Sequence, residues 1–389
     1  METPYLNSRL QDFTSTIFAD MSALAVQTGA VNLGQGFPDT DGPEEMREAA
    51  VEAIRGGRNQ YPPGPGIPEL RLAIAEHQHR FYGLTFDPDT EVLVTAGATE
   101  AIAAALLALC EPGDEVVSFQ PYYDSYAAGI ALAGARRRLI TLRPPDYQFD
   151  PDALRAAVTD RTRLLLLNTP HNPTGKVFTA AELGCIAELA IDRDLIVVTD
   201  EVYEHMTYDG VPHIPLAGLP GMRERTITVS SAGKTFSFTG WKIGWVCAPA
   251  ALVTAVRTVK QFLTFVNGAP FQPAVAVGLG LPDAFYADLG ASLQGKRDRL
   301  CAGLATAGFE VYRPAGTYFV TTDVRPLGYD DGVAFCRELP HRCGVVGVPN
   351  VVFYDDKQAG ASLVRFAFCK RDEVLDEAVA RLATLRPRA

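Results

Sequence analysis

From Glu91 onward, short runs of β-branched and aliphatic residues alternate with longer stretches whose apolar positions recur every three or four residues. Each short run predicts a buried strand, and each longer stretch a helix. Strands are expected at Val92–Thr95, Glu115–Phe119, Leu164–Leu167 and Leu195–Thr199, with helices at Thr99–Leu109, Tyr122–Ala133 and Ala180–Arg193. Two further strands, Ile227–Val229 and Ile243–Val246, flank a polar loop. Upstream, Phe13, Ile17, Phe18, Met21 and Leu24 mark a helix within residues 10–30, and Val31–Asp39 reads as loop. Helices follow at Pro43–Arg55 and Glu69–Tyr82, separated by a Pro/Gly-rich loop. A helix over Ala248–Val266 and a long one from Pro282 lead into a compact mixed unit. That unit holds strands Gly316–Thr321 and Leu363–Phe368, a helix Gly332–Leu339 and a last helix to Leu385.

Strands alternating with helices predict an α/β fold whose sheet is mainly parallel and covered on both faces. A large domain over 34–284 and a smaller mixed α/β domain from 1–33 with 285–389 are expected. In such sheets ligands lie outside the carboxyl ends of the strands. The unusual polar stretches fall there: Ala96-Gly-Ala-Thr-Glu100, Gln120-Pro-Tyr-Tyr123, Asn168-Thr-Pro-His-Asn-Pro-Thr-Gly175, Asp200-Glu-Val-Tyr203 and the loop holding Lys234. That convergence predicts one site.

Composition adds exclusions. A net charge of −11 argues against a nucleic-acid surface. Seven cysteines without a Cys-x-x-Cys pair suggest neither a disulfide framework nor a zinc site, so reduced thiols in a cytoplasmic protein and no metal are expected. Met1 to Asn7 lacks the basic start and apolar core of a signal peptide, and Ala101–Cys110 is too short to span a membrane. Arginine far outnumbers lysine and Ala, Gly and Pro are abundant, the composition of a GC-rich bacterial gene.

Lys234 stands between two apolar strands among Gly, Ser and Thr, a poor setting for a solvated charge and a good one for a nucleophilic amine. A phosphate-cradling nucleotide loop needs a glycine where Thr228 stands. Ser231-Ala-Gly-Lys234 matches the serine–lysine motif of penicillin-recognising enzymes, but the companion triplets are absent. A Schiff-base lysine for pyridoxal 5′-phosphate has support along the chain. Asp200, at the end of an apolar run, suits the pyridine nitrogen; Tyr203 and Asn172 are candidate donors to the phenolic oxygen. Ala98 and Thr99 at a helix start, with Ser231 and Lys242, are candidates for the phosphate, and Tyr123 for stacking on the ring.

Taken together, Asn168-Thr-Pro-His-Asn-Pro-Thr-Gly, Asp200-x-x-Tyr203, Ser231-x-x-Lys234, Lys242 and Val364-Arg365-Phe-Ala-Phe resemble the class I, fold-type I aminotransferases over essentially the whole chain. The resemblance implies catalytic roles for Lys234, Asp200 and Tyr203, and a ring-oxygen contact for Asn172. It implies phosphate binding by Ser231 and Lys242, and a grip on the substrate α-carboxylate by Arg365. Many family members have arginine where Lys242 stands; lysine keeps the charge without the bidentate fork. The resemblance also implies a homodimer in which Tyr61 reaches the neighbouring phosphate, and a scaffold role for His171. Gly34-Gln-Gly-Phe-Pro-Asp39, Asn59-Gln-Tyr61 and Thr239-Gly-Trp-Lys-Ile-Gly-Trp are similar to kynurenine, glutamine and methionine transaminases, and to the actinobacterial N-succinyldiaminopimelate aminotransferases of lysine biosynthesis. The expected activity is ping-pong transfer of an amino group to 2-oxoglutarate, with the succinylated donor preferred. A kynurenine, glutamine or methionine transaminase, or a β-lyase acting on cysteine-type substrates, is the alternative, and a pyridoxal-binding DNA regulator a more distant one. Phe18, Gly36, Tyr123 and the Phe262–Phe271 segment are candidates for lining the substrate side.

Overall fold

The computed structural model describes residues 4–13 and 17–386. Residues 1–3, at the N-terminus discussed above, and 14–16, inside the expected first helix, lie outside the described residues. The described part of that helix is Ile17–Thr28, preceded by a short 3-10 turn at Ser8–Phe13.

The strands described are β1 (Val31–Asn32), β2 (Val92–Thr95), β3 (Glu115–Gln120), β4 (Arg136–Thr141), β5 (Thr162–Asn168), β6 (Ile196–Asp200) and β7 (Thr226–Ser231). They continue with β8 (Gly244–Cys247), β9 (Glu310–Tyr312), β10 (Phe319–Asp323), β11 (Val345–Val346), β12 (Val348–Pro349) and β13 (Leu363–Ala367). Seven make one sheet in the order β2-β8-β7-β6-β5-β3-β4. β3 to β7 run parallel, and β8 is antiparallel to both its neighbours. The expected mainly parallel α/β architecture is therefore present.

Helices cover both faces. Leu164 and Leu166 of β5 pack with Ile227, Val229 and helix Gly97–Leu109; Leu165 and Leu167 pack on the opposite side with Phe178 and helix Ala180–Asp192. Since both faces are dry, the strand reads as a continuous apolar run without alternation. Each fully buried leucine contributes about 1.5–3 kcal/mol, so polar substitution on either face is costly. The helix at 180–192 starts where the pattern says it should, with a capping box between Thr179 and Glu182.

A second sheet, β12-β13-β10-β9, is antiparallel throughout, and β1 pairs in parallel with β11. One core cluster joins Met21 and Leu33 to Leu300, Phe335, Phe366 and Leu382, tying the two ends of the chain together. Phe13 packs instead against the cluster that includes Tyr126 and Ile130. Among the described residues, no helix is long and apolar enough to cross a membrane.

Several local expectations are corrected. β4 was not expected: its Arg-Arg-Arg start hides the pattern, because an edge strand keeps much of its length exposed. Val31–Asn32 is a short strand rather than loop, held by pairing with Val345–Val346, which only the tertiary fold supplies. β10 begins at Phe319 and not Gly316, since Thr317 is left-handed (φ 63°) and breaks the extension. Phe271–Leu279 is a helix, with Pro273 tolerated in its first turn.

Candidate active site

The polar strand ends meet in a cavity of about 310 Å³. Its walls come from the helix after β2 (Gly97, Ala98, Thr99), the segment after β3 (Tyr123, Tyr126), the ends of β5 and β6 (Asn168, Asn172, Asp200, Tyr203) and the turn after β7 (Ser231, Lys234, Lys242). The first helix adds Phe18, the following loop Gly36, and the antiparallel sheet Phe319 and Arg365. Of the candidate cofactor and substrate residues singled out from the sequence, all but Tyr61 and the Phe262–Phe271 segment line this one cavity. Tyr61 is 82% exposed and packs its ring against Phe265, 5.3 Å away.

Lys234 sits in a single helical turn, Ala232–Thr235, directly after β7. Its Nζ lies 5.8 Å from the Tyr203 ring and 5.9 Å from the Tyr318 ring. Burial depresses its pKa, since water is no longer available to solvate the ammonium. Asp200, the last residue of β6, accepts from Tyr126 Oη at 2.5 Å and from the Val202 amide at 3.4 Å. Burial raises its pKa, and the Tyr126 hydrogen bond works against that rise. Neither charge has an opposite partner in salt-bridge contact among the described residues.

Arg365 is the third such charge. It projects from β13, with Nη1 donating to Asn172 Oδ1 at 2.9 Å and Nη2 to the Gly34 carbonyl at 3.2 Å. Its Nε is buried with no hydrogen-bond partner. The guanidinium lies over three rings: Phe319 at 4.0 Å, Phe353 at 4.9 Å and Phe18 at 5.5 Å. Burial pulls its pKa down to about 10, which leaves it cationic at neutral pH. An uncompensated buried charge costs several kcal/mol. Three charges without an ion-pair partner around one cavity mark a place for a ligand of complementary charge.

An anion cradle forms one end. The helix Gly97–Leu109 has no side-chain cap, so its first amides are free to meet a ligand. Gly97 is left-handed (φ +75°), and a Cβ there would come within 3.1 Å of Lys242 Nζ. A Cβ on Gly244 would meet the Gly97 backbone at 2.5 Å, so both glycines are needed for the close approach. Asn267 Nδ2 donates to the carbonyls of Thr95 (3.0 Å) and Lys242 (3.1 Å), pinning the helix start beside the lysine. Cation, hydroxyls and helix amides together suit a phosphate. A protonated ring nitrogen suits Asp200, and an α-carboxylate suits Arg365. The donor set thus fits pyridoxal 5′-phosphate carrying an amino acid.

Asn172 and Tyr203 are both buried, and burial lifts the Tyr203 hydroxyl above its ordinary range. Tyr203 packs edge-on against Tyr318, whose hydroxyl donates to the Gly36 carbonyl at 2.7 Å. His171 points away from the cavity: its Nδ1 pairs with Thr174 Oγ1 at 2.8 Å, and burial lowers its pKa to about 3. Sequence reasoning missed Tyr126, although it lies three residues after Tyr123 on a helix, where both face one side. It also missed Phe37 and Phe319. Phe262 and Phe265, expected to line the substrate side, lie outside this cavity in an exposed patch with Tyr61.

Residues 28–382 match the family aminotransferase class I and II. The chain is 56% identical over 98% of its length to a probable N-succinyldiaminopimelate aminotransferase of Mycobacterium tuberculosis, covering 98% of that protein. It is 41% identical to the methionine aminotransferase of Escherichia coli, over 97% of this chain and 98% of the relative. Among solved structures, the N-succinyldiaminopimelate aminotransferase from Mycobacterium tuberculosis superposes with a TM-score of 0.95 at 57% identity. That match covers 97% of this chain and 99% of the other.

Proposed function

The chain belongs to the class I and II aminotransferases, and we propose that it uses pyridoxal 5′-phosphate to move the amino group of N-succinyl-LL-2,6-diaminopimelate to 2-oxoglutarate. The observation that carries the chemistry is a set of three charges without an ion-pair partner around one cavity: buried Asp200 and Arg365, and half-buried Lys234. The likeness to the mycobacterial relative supports the choice of donor.

In this reading Ala98, Thr99, Ser231 and Lys242 hold the phosphate, Asp200 the ring nitrogen, and Asn172 with Tyr203 the ring oxygen. Tyr123 covers the ring face. The bound cofactor supplies an electron-accepting ring that stabilises negative charge at the donor's Cα. Arg365 orients the donor by its α-carboxylate, with Asn172 and the Gly34 carbonyl holding the guanidinium in place. The Lys234 amine, kept neutral more readily by burial, takes the proton from Cα in the first half-reaction. In the second, it returns a proton to Cα of the nascent glutamate. Donor amino acid and 2-oxoglutarate thereby become 2-oxo acid and glutamate, one after the other, as ping-pong kinetics require.

The division into a large domain over 34–284 and a small one from 1–33 with 285–389 belongs to the same reading, supported by the core cluster that joins both chain ends. So does a homodimer. The exposed rings of Tyr61, Phe262 and Phe265 support it, since a residue serving a neighbouring subunit's phosphate would stand outside its own cavity.

Two results test these roles. Tyr126→Phe removes the hydroxyl donor to Asp200 and favours the protonated acid. A hydrogen bond to a charged group contributes about 1.5–3 kcal/mol, so the cofactor dissociation constant should rise about tenfold or more by absorbance titration. An unchanged constant would show that Asp200 needs no such support. For the donor, kcat/KM is compared across N-succinyl-diaminopimelate, kynurenine, methionine and glutamine at fixed 2-oxoglutarate. The succinylated donor should lead. Kynurenine or methionine ahead by tenfold would reject that donor and leave the transaminase reading standing, since pocket shape discriminates by only about 1–3 kcal/mol per methylene.

A further inference from the structure

Helix Pro68–Tyr82 brings His77 against the segment just after β6, where Glu204 and His205 follow the cavity residues Asp200 and Tyr203. The Nε2 atoms of His77 and His205 face each other at 2.7 Å. Two nitrogens at that distance share at most one proton, so at least one presents a bare lone pair. Glu204 is buried, with one carboxylate oxygen accepting from Ser230 Oγ at 2.6 Å. Its other oxygen is buried without a hydrogen bond of regular geometry, and the Tyr82 hydroxyl stands beside the carboxylate. One ligating atom from each of the three residues lies within 4.8 Å of the others. Aromatic rings wall the cluster: His205 is 4.7 Å from Phe81 and 4.4 Å from Tyr286. Nearby, Arg80 is engaged elsewhere, bonded to Asp283 and to the Leu281 carbonyl. None of the three residues lines the catalytic cavity.

We propose that His77, Glu204 and His205 form a binding site for a divalent transition-metal ion of the zinc class, acting as a structural brace. Two imidazole nitrogens and one carboxylate oxygen are a donor set for zinc, whereas magnesium and calcium take oxygen ligands. Zinc–nitrogen bonds of about 2.0–2.1 Å in a tetrahedron place the two nitrogens about 3.3 Å apart, so the rings need separate only by about half an ångström. Water completes the coordination, and His205, the partly exposed member, marks the side of entry. The ion would tie helix Pro68–Tyr82 to the corner carrying Asp200 and Tyr203. It would also supply the charge that the second Glu204 oxygen lacks. The cysteine pattern predicts no metal; these ligands are spread along the chain and meet only in the fold.

The test uses the holoenzyme, dialysed against zinc chloride and then against metal-free buffer without chelator, with zinc measured by inductively coupled plasma mass spectrometry. The parent should retain about one equivalent per chain, and His77→Ala/His205→Ala below about a tenth. Zinc should raise the melting temperature of the parent and not of the variant. Cobalt(II) should give the visible bands of a tetrahedral site in the parent alone. Should the double variant fail to fold, His77→Gln keeps the bulk and loses the ring nitrogen, and its transaminase turnover reports the intact fold. A parent holding less than a tenth of an equivalent would overturn the proposal and leave a plain histidine–histidine hydrogen bond. Zinc retained undiminished in the folded variants would overturn it equally.

Discussion

Lys234→Ala should lower kcat by about 10⁴-fold, the upper end of what one positioned acid–base group contributes, and suppress both half-reactions alike. The structural reason is that no second amine can take over. Lys242, the other lysine of the cavity, stands at the helix start beside Gly97. The side chain is half-buried and its amine is only in ring contact, 5.8 Å from Tyr203, so truncation leaves the surrounding hydrogen bonds in place. Fold stability should therefore change far less than activity. Lys234→Arg is the informative companion: it keeps a cation but offers no base near neutral pH, and should be as inactive. Single-turnover absorbance with donor alone, then with 2-oxoglutarate alone, separates the two halves. Turnover within tenfold of the parent in either variant would sink the assignment of Lys234 as the proton carrier.

Arg365→Ala should reduce kcat/KM by about 10²–10³-fold or more. Removing one member of a buried charge pair costs roughly 3–5 kcal/mol, and the substrate carboxylate would be the member left behind. The guanidinium also donates to Asn172 Oδ1 and the Gly34 carbonyl, so a purely structural role is a distinct alternative. The two separate cleanly. A substrate-binding role predicts a large loss for every donor and acceptor with cofactor binding little changed. A structural role predicts a lower melting temperature with kcat/KM preserved in the folded fraction. Arg365→Lys should recover only part of the loss, because an ammonium cannot form the paired donors or offer a planar face to the rings of Phe319 and Phe353.

The strongly periodic part of this chain was legible without coordinates. The continuous apolar runs of β5 and β6 and the β-branched Ile227-Thr-Val229 of β7 admit little but buried strands, and polar residues at their ends had nowhere to face except a shared crevice. Lys234, Asp200, Asn172 and Tyr203 were found for that reason, since an ionisable or amide group at the end of an apolar strand is costly unless it meets a ligand. The aminotransferase fold and activity follow from the same motifs. Elements whose stability is local, such as the helix begun by the Thr179–Glu182 capping box, were equally visible.

What escaped depends on contacts between distant segments. β1 is two residues long and exists because β11, more than three hundred residues later, supplies its hydrogen bonds. Tyr126 looks like any core aromatic until its hydroxyl is seen on Asp200. The Phe262–Phe265 segment has the composition of a pocket wall but is turned outward beside Tyr61, because placement around a cavity is set by packing and not by hydrophobicity. The meeting of His77 with Glu204 and His205 is of the same kind: a helix and a strand end, unremarkable alone, are brought within hydrogen-bonding range by the fold. Periodicity and strand-end chemistry are encoded over a few neighbouring residues and can be read from them. Side-chain partnership across more than a hundred residues is decided only when the sheet closes and its helices dock.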